Sequence, residues 1–160
     1  MYKVESYSSG TYVRSDVMGM PTRALSIRQP WTWAILYAGK RVENRSWYTD
    51  YRGPIYLHSG REVEYDALEC LRPEIEAMER PRPPAVCGAL LATAILADCV
   101  RPEDVPDDQL RWVAGPWCFL MRDVRPLARP IPWRGKLGFF TAEPQLSNKN
   151  DMIGNNYLTK

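Results

Sequence analysis

The sequence predicts a small α+β domain in which short strands close into a barrel flanked by two to three helices. Three observations lead there. Strand-like segments follow one another at close spacing and are punctuated by Gly and Pro, of which the 160 residues hold 10 and 14. Only two or three stretches carry a helical period, and each is short. The chain is 45% hydrophobic and 25% charged, a globular composition that excludes wholesale disorder and a fibrous protein. A chain of this length buries roughly two thirds of its unfolded surface, so it can sustain its own core.

The elements follow in order. Residues 1–21 and 144–160 read as tails around one domain at 22–143, because neither shows a sustained period. Thr22–Ile27 reads as a strand. Pro30 suits a first helical position, and Trp31–Ala38 runs two turns until Gly39 ends them. Trp31, Ala34, Ile35 and Ala38 fall on one face of that helix. Lys40–Trp47 and Gly53–Ser59 are the next strands. Ser59 followed by Glu62 resembles a capping box, which would open an acidic helix through Leu71, with a second helical piece to Met78 after Pro73. Arg80–Pro84 (RPRPP) is a rigid linker. Val86–Val100 is the longest strand candidate, followed by a Pro/Asp-rich loop. Trp117–Asp123, Arg125–Ile131 and Leu137–Thr141 are short strands at close spacing.

Charge is divided along the chain. Residues 21–61 hold seven basic side chains against two acidic, 62–108 four against twelve, and 109–142 six against one. Sixteen of the 21 basic residues are Arg, which suits planar recognition of phosphate and stacking on bases. If the two basic segments meet in the fold they make one positive surface, with the acidic segment elsewhere. A solvated Arg-rich surface with no ligand would give the same counts. Four cysteines without a C-x-x-C and a single histidine give no metal-binding spacing, so neither metal nor cofactor is expected and buried free thiols are. No apolar run approaches the ~20 residues of a membrane helix, and MYKVESYSSG lacks the apolar core of a secretory signal. A soluble, cytoplasmic protein with no membrane partner is expected.

Four pieces then stand in a specific order: Leu25-Ser26-Ile27-Arg28-Gln29-Pro30-Trp31; Gly39-Lys40 with Glu43 and Arg45; Tyr51-Arg52-Gly53-Pro54; and Leu57-His58-Ser59. In order and spacing they resemble the ASCH domain, a family of the PUA-like β-barrel superfamily, and Pro130–Phe139 resembles its closing strand. The resemblance covers about 23–141. It implies a PUA-like barrel with a cleft between the first helix and the sheet, and it implies RNA, another nucleic acid, or a nucleoside-type small molecule as partner.

The residues set against that cleft are Arg28, Gln29, Trp31, Lys40, Glu43, Arg45, Arg52 and His58. Glu43 and Arg45 are two apart on a strand and share a face that Trp47 would continue. A carboxylate, a guanidinium and an indole together can read a base edge, hold phosphate and stack a ring. The same pair would equally serve as an ion pair knitting the fold. Lys40 joins that face only from the turn after Gly39 or from a bulge. Arg28 and Gln29 sit at a strand-to-helix junction, either as an anion seat or as a helix cap with a solvated arginine. His58, alone of its type, is either a hydrogen-bonded structural residue or part of the cleft. Arg52 is a phosphate contact or a solvated turn residue, and Arg129, Arg134 and Lys136 would extend the positive surface.

The resemblance also implies a second activity. Some small members are hydrolases of N4-acylated cytidine, using a lysine with a threonine and a carboxylate, and another member is a nuclease. Lys40 matches that lysine, but Glu43 stands at the threonine position. A neighbouring carboxylate favours the ammonium form and makes lysine a poorer base. If the protein is an enzyme, Lys40 and Glu43 are the catalytic pair, with Glu43 as base and Lys40 stabilising an oxyanion. The primary expectation is a binding module in which Arg28, Lys40 and Arg45 neutralise phosphate and Glu43 accepts from a base. A third reading makes the acidic helix a protein-interaction surface.

Overall fold

The structure is a computed structural model and describes residues 21–79, 82–83 and 86–145. The expected tail 1–21, all but its last residue, and most of the expected tail 144–160 lie outside the described residues. Six strands form one sheet: β1 (Arg23–Gln29), β2 (Val42–Arg45), β3 (Gly53–Val63), β4 (Ala89–Val100), β5 (Trp117–Pro132) and β6 (Phe139–Thr141). Their spatial order is β2-β5-β4-β3-β1-β6. β1 and β3 are parallel and every other pair is antiparallel. The helices are α1 (Trp31–Tyr37), α2 (Tyr65–Cys70) and α3 (Arg72–Ala77), with 3-10 turns at Pro102–Asp104 and Asp107–Trp112.

The sheet curls but is not closed by hydrogen-bonded pairing, so the expected barrel is not completed among the described residues. β6 covers β1 only at Arg23–Leu25. Beyond Leu25 the same edge of β1 has no strand partner, and β2, with four residues, pairs only with β5. Side chains bridge what backbone pairing leaves. Arg45 Nη2 donates to the Ser26 carbonyl at 2.5 Å. Trp47 packs edge-on to Phe139 of β6 and Phe119 of β5, at 5.4 and 5.0 Å between ring centroids.

Three apolar clusters hold the sheet. The inner one joins Leu25, Ile27, Ile55, Leu57, Ala92, Leu96, Phe119 and Met121 from four strands. A second seats α1 through Trp33 and Ala34 on Val42, Trp112 and Cys118. A third gathers Ala24, Tyr56, Leu90, Leu127 and Phe140. Both faces of β3 are buried between Ile55 and Ser59, as befits a strand in the middle of the order.

Several local expectations are corrected. Ser59 and Glu62 are not a capping box: β3 runs on to Val63, Ser59 Oγ donates to the Val86 carbonyl, and α2 starts only at Tyr65. Long-range pairing with β1 and β4 outweighs the local cap signal. Trp117–Asp123 and Arg125–Ile131 are one 16-residue strand, with Asp123 at φ 51° inside it. The edge of β5 beyond β2 carries Pro126, Pro130 and Pro132, which supply no N–H donor to a further strand. Cys99 and Cys118 are buried free thiols, whereas Cys70 and Cys87 are exposed. Among the described residues no helix is long and apolar enough to cross a membrane.

Phe119 is fully buried among Trp47, Phe139 and the inner cluster. Phe119→Ala should cost about 3–5 kcal/mol through lost burial and a residual cavity. The expected result is a lower urea midpoint with an unchanged m-value.

Candidate functional site

A cleft of about 900 Å³ opens where the sheet is left unpaired. Its walls come from β1 (Ser26–Arg28), the start of α1 (Trp31), β2 with the turn before it, the end of β3, the 112–114 segment and the 134–138 loop. α1 ends at Gly39, whose φ of +72° lets the chain reverse and deliver Lys40 to the floor ahead of β2. Lys40 therefore occupies the turn, which is how it joins Glu43 despite their spacing.

The floor is a chain of charges. Lys40, 2% exposed, donates through Nζ to the Val42 carbonyl and, at 3.0 Å, to Glu43 Oε2. The other oxygen of Glu43 lies 3.1 Å from Arg45 Nη2, which also reaches Ser26 across the open edge. Nζ stands 5.7 Å from the Trp31 ring centroid. A buried charge persists only where it is paired and hydrogen-bonded, and this arrangement meets that requirement for all three. One donor is left over: Arg45 Nε is buried without a partner among the described residues. Lys40 likewise keeps one of its three N–H donors.

The rim divides in two. On the α1 side, Arg28 Nε lies 2.7 Å from Glu62 and its Nη1 3.3 Å from Glu64, whose second oxygen accepts from Trp31 Nε1 at 2.7 Å. Arg111, further round, pairs with Glu74 and lies over the Trp112 ring. The other cations group around Gly88: Arg61 lies against that glycine, whose carbonyl accepts from the Trp133 N–H at the root of the loop bearing Arg134 and Lys136. All three are exposed, and among the described residues no carboxylate pairs with them. The two basic segments, whose meeting the sequence left as a condition, do meet here. The acidic segment is not elsewhere, because Glu62 and Glu64 line the same cleft.

His58 is a structural pin at the back of the cleft. Its Nε2 is 3.0 Å from the Trp133 carbonyl, so that nitrogen carries the proton, and Nδ1 accepts from Ser26 Oγ at 3.0 Å. The ring is 2% exposed and meets Phe140 edge-on. Burial lowers its pKa below 6.5, against a smaller raising effect of the bond to Trp133. A Cβ on Gly135 would stand 2.5 Å from the imidazole and 2.7 Å from Ser26 Oγ. Only glycine lets the 134–138 loop come this close, and the cations of that loop are placed by this contact.

Of the residues expected at the site, Arg28, Trp31, Lys40, Glu43, Arg45 and His58 line the cleft. Gln29 does not. Its side chain is 1% exposed, accepts from the Trp33 N–H and donates to the Val86 carbonyl, so it caps the helix. Arg52 is also absent from the lining, held by Asp98 at 2.6 Å and by the Thr49 and Tyr51 carbonyls. Trp47 leaves the face of Glu43 and Arg45 because β2 ends at Arg45. Of the helix tryptophans, Trp33 is the core residue and Trp31 faces the cleft. Arg61, Glu62 and Glu64 had no signal as site residues, since nothing local shows that β3 extends past Ser59. Among the described residues no three His, Cys, Asp or Glu side chains are grouped to hold a metal ion.

The chain belongs to the ASCH domain family, whose model matches residues 25–114 and so includes the floor of the cleft. That family is PUA-like and associated with RNA binding. Among solved structures, the crystal structure of ASCH from Zymomonas mobilis is similar at 15% identity and a TM-score of 0.44, over 76% of this chain and 87% of that one. Two point-mutant forms of the Zymomonas protein match equally, at 15% identity and a TM-score of 0.45. No curated protein matches the chain.

His58 is the sole histidine, so its titration can be isolated. Its folded pKa lies below 6.5, while the unfolded chain takes up that proton near 6.5. Stability due to this group is therefore complete above the unfolded value and is lost as pH falls below it, by at most about 1.4 kcal/mol per pH unit. Urea unfolding between pH 7.5 and 5.5 should show this loss in the wild type. His58→Gln, though weaker at pH 7.5, should have the flatter pH profile.

Proposed function

We propose that the cleft binds single-stranded RNA, holding one base beside Trp31 and the Lys40–Glu43–Arg45 group and running the phosphates along Arg61, Arg134 and Lys136. The observation that carries this reading is the division of the cations. Those on the floor are committed to Glu43. Those of the 134–138 rim and Arg61 have no carboxylate among the described residues. Uncommitted surface cations are what phosphate recognition requires, whereas a base edge is read by fixed donors and acceptors. Glu43 keeps acceptor lone pairs for a base amino group, and the unpartnered Arg45 Nε–H and the third Lys40 N–H are donors for a base carbonyl. A buried donor left unpaired costs about 1–3 kcal/mol, which a ligand acceptor would offset. On this reading the curled sheet is a PUA-like barrel left open at its binding edge.

The geometry supports deacylation of an acylated cytidine less well. Lys40 Nζ is turned to the Val42 carbonyl and Glu43, and each Glu43 oxygen already meets a cation, which fits a fixed hydrogen-bonding group better than a pair poised to abstract a proton. Both nitrogens of His58 are engaged as well, which counts against it as the base of a nuclease.

Fluorescence anisotropy of a labelled single-stranded oligoribonucleotide, titrated at several salt concentrations, tests the proposal. The wild type should show a log–log salt slope of about −2, as three phosphate contacts on a single strand give. Combined Arg61→Gln, Arg134→Gln and Lys136→Gln should bring the slope close to zero while leaving thermal stability unchanged. Mass spectrometry of N4-acetylcytidine incubated with the protein should show no loss of the acyl group. Acyl loss with the wild type but not with Lys40→Ala would replace binding by hydrolysis.

A further inference from the structure

On the α1 rim of the cleft the charges are already paired with one another. Arg28 is the residue a phosphate would be expected to seek, beside the floor and 58% exposed at its side chain. Yet its guanidinium already faces two carboxylates, Glu62 at 2.7 Å and Glu64 at 3.3 Å. The two acids differ in what else they do. Glu64 accepts from the Trp31 indole at 2.7 Å and precedes the first turn of α2, so it also fixes the aromatic wall. Among the described residues Glu62 pairs with Arg28 alone, and its side chain is 74% exposed. An exposed ion pair of this kind contributes little to folding. Its electrostatic consequence for a ligand is larger, because two carboxylates against one guanidinium leave this rim net negative while the Arg61, Arg134 and Lys136 rim is positive.

Resting on the proposed RNA reading, we infer that Glu62 is a specificity-determining residue: with Glu64 it neutralises Arg28 and repels phosphate from the α1 rim. The backbone of a bound strand is thereby confined to the Arg61/Arg134/Lys136 rim, and the uncharged base edge is the part of the ligand that faces α1. The carboxylates occupy the guanidinium as phosphate oxygens otherwise would, so the cleft discriminates by the direction from which the polyanion enters. A strand with phosphates on both rims, as in a duplex laid across the cleft, is disfavoured by the same charge.

The predicted signature is a gain of binding, which damage to the fold does not produce. Glu62→Gln keeps the shape of the side chain and releases one side of Arg28. It should tighten a single-stranded oligoribonucleotide about fivefold at low salt, the effect of one unit charge a few Å away in water. The log–log salt slope should steepen by about 0.7, one further phosphate contact on a single strand. Affinity for a duplex RNA of the same length should rise by more than that for the single strand. Glu103→Gln is the control, since Glu103 is also exposed but outside the cleft lining, and it should change neither quantity. If the wild type binds RNA and Glu62→Gln matches Glu103→Gln in affinity and slope, this inference is overturned and the RNA reading stands. If only Glu62→Gln binds, the repulsive role is upheld in its strongest form. Failure of both proteins to bind single-stranded RNA overturns both.

Discussion

The Glu43 carboxylate is the point on which the cleft depends. It lies on a four-residue strand at the end of the sheet order, 8% exposed, and is kept there by Lys40 on one oxygen and Arg45 on the other. Remove either cation and a buried carboxylate loses half its compensation, which is far costlier than the loss of a surface ion pair. Arg45 then carries the constraint across the fold. The nitrogen that meets Glu43 also donates to the Ser26 carbonyl, 19 residues earlier in the chain. A charged hydrogen bond thus stands where a barrel would have had backbone pairing, and the open edge it spans is the cleft.

A second set of contacts fixes the opposite wall. Ser26, whose carbonyl accepts from Arg45, donates a hydrogen bond through its hydroxyl to His58 Nδ1, and His58 Nε2–H donates to the Trp133 carbonyl. Gly135 lies against that imidazole at a distance no other residue tolerates. One residue of β1 therefore ties the floor to the loop that bears Arg134 and Lys136. The order of these bonds depends on a neutral histidine, and burial, which lowers its pKa, favours that form. The uncommitted cations of the rim are exposed, but their positions are set by buried, uncharged hydrogen bonds.

Family membership and charge together bound the chemistry. The match over residues 25–114 contains the floor and both carboxylates of the α1 rim, while Arg134, Lys136 and Gly135 lie beyond it. The cleft is thus built by the family segment and completed by a loop outside it. Its electrostatics are correspondingly uneven, with Arg28 held by Glu62 and Glu64 and with Arg61, Arg134 and Lys136 lacking a carboxylate partner among the described residues.

Much of this was legible in the residues themselves. The motif from Leu25 to Trp31, the Gly39–Lys40 turn, and the alternation of Glu43 and Arg45 follow from short-range signals, because a turn, a strand face or a helix stop is decided within a few residues. What the tertiary structure alone decided is which charges are used up. Arg28 and Glu64 are 36 residues apart and Ser26 and His58 are 32 apart, brought together only by the parallel pairing of β1 with β3. That pairing carried β3 past Ser59, overrode a good capping signal and put two acids into a cleft that the sequence had made basic. It also turned Trp31 rather than Trp33 towards the cleft, since a seven-residue helix buries whichever face its neighbours cover. Local chemistry set the parts of the site. Sheet register, which no local window contains, set their partners.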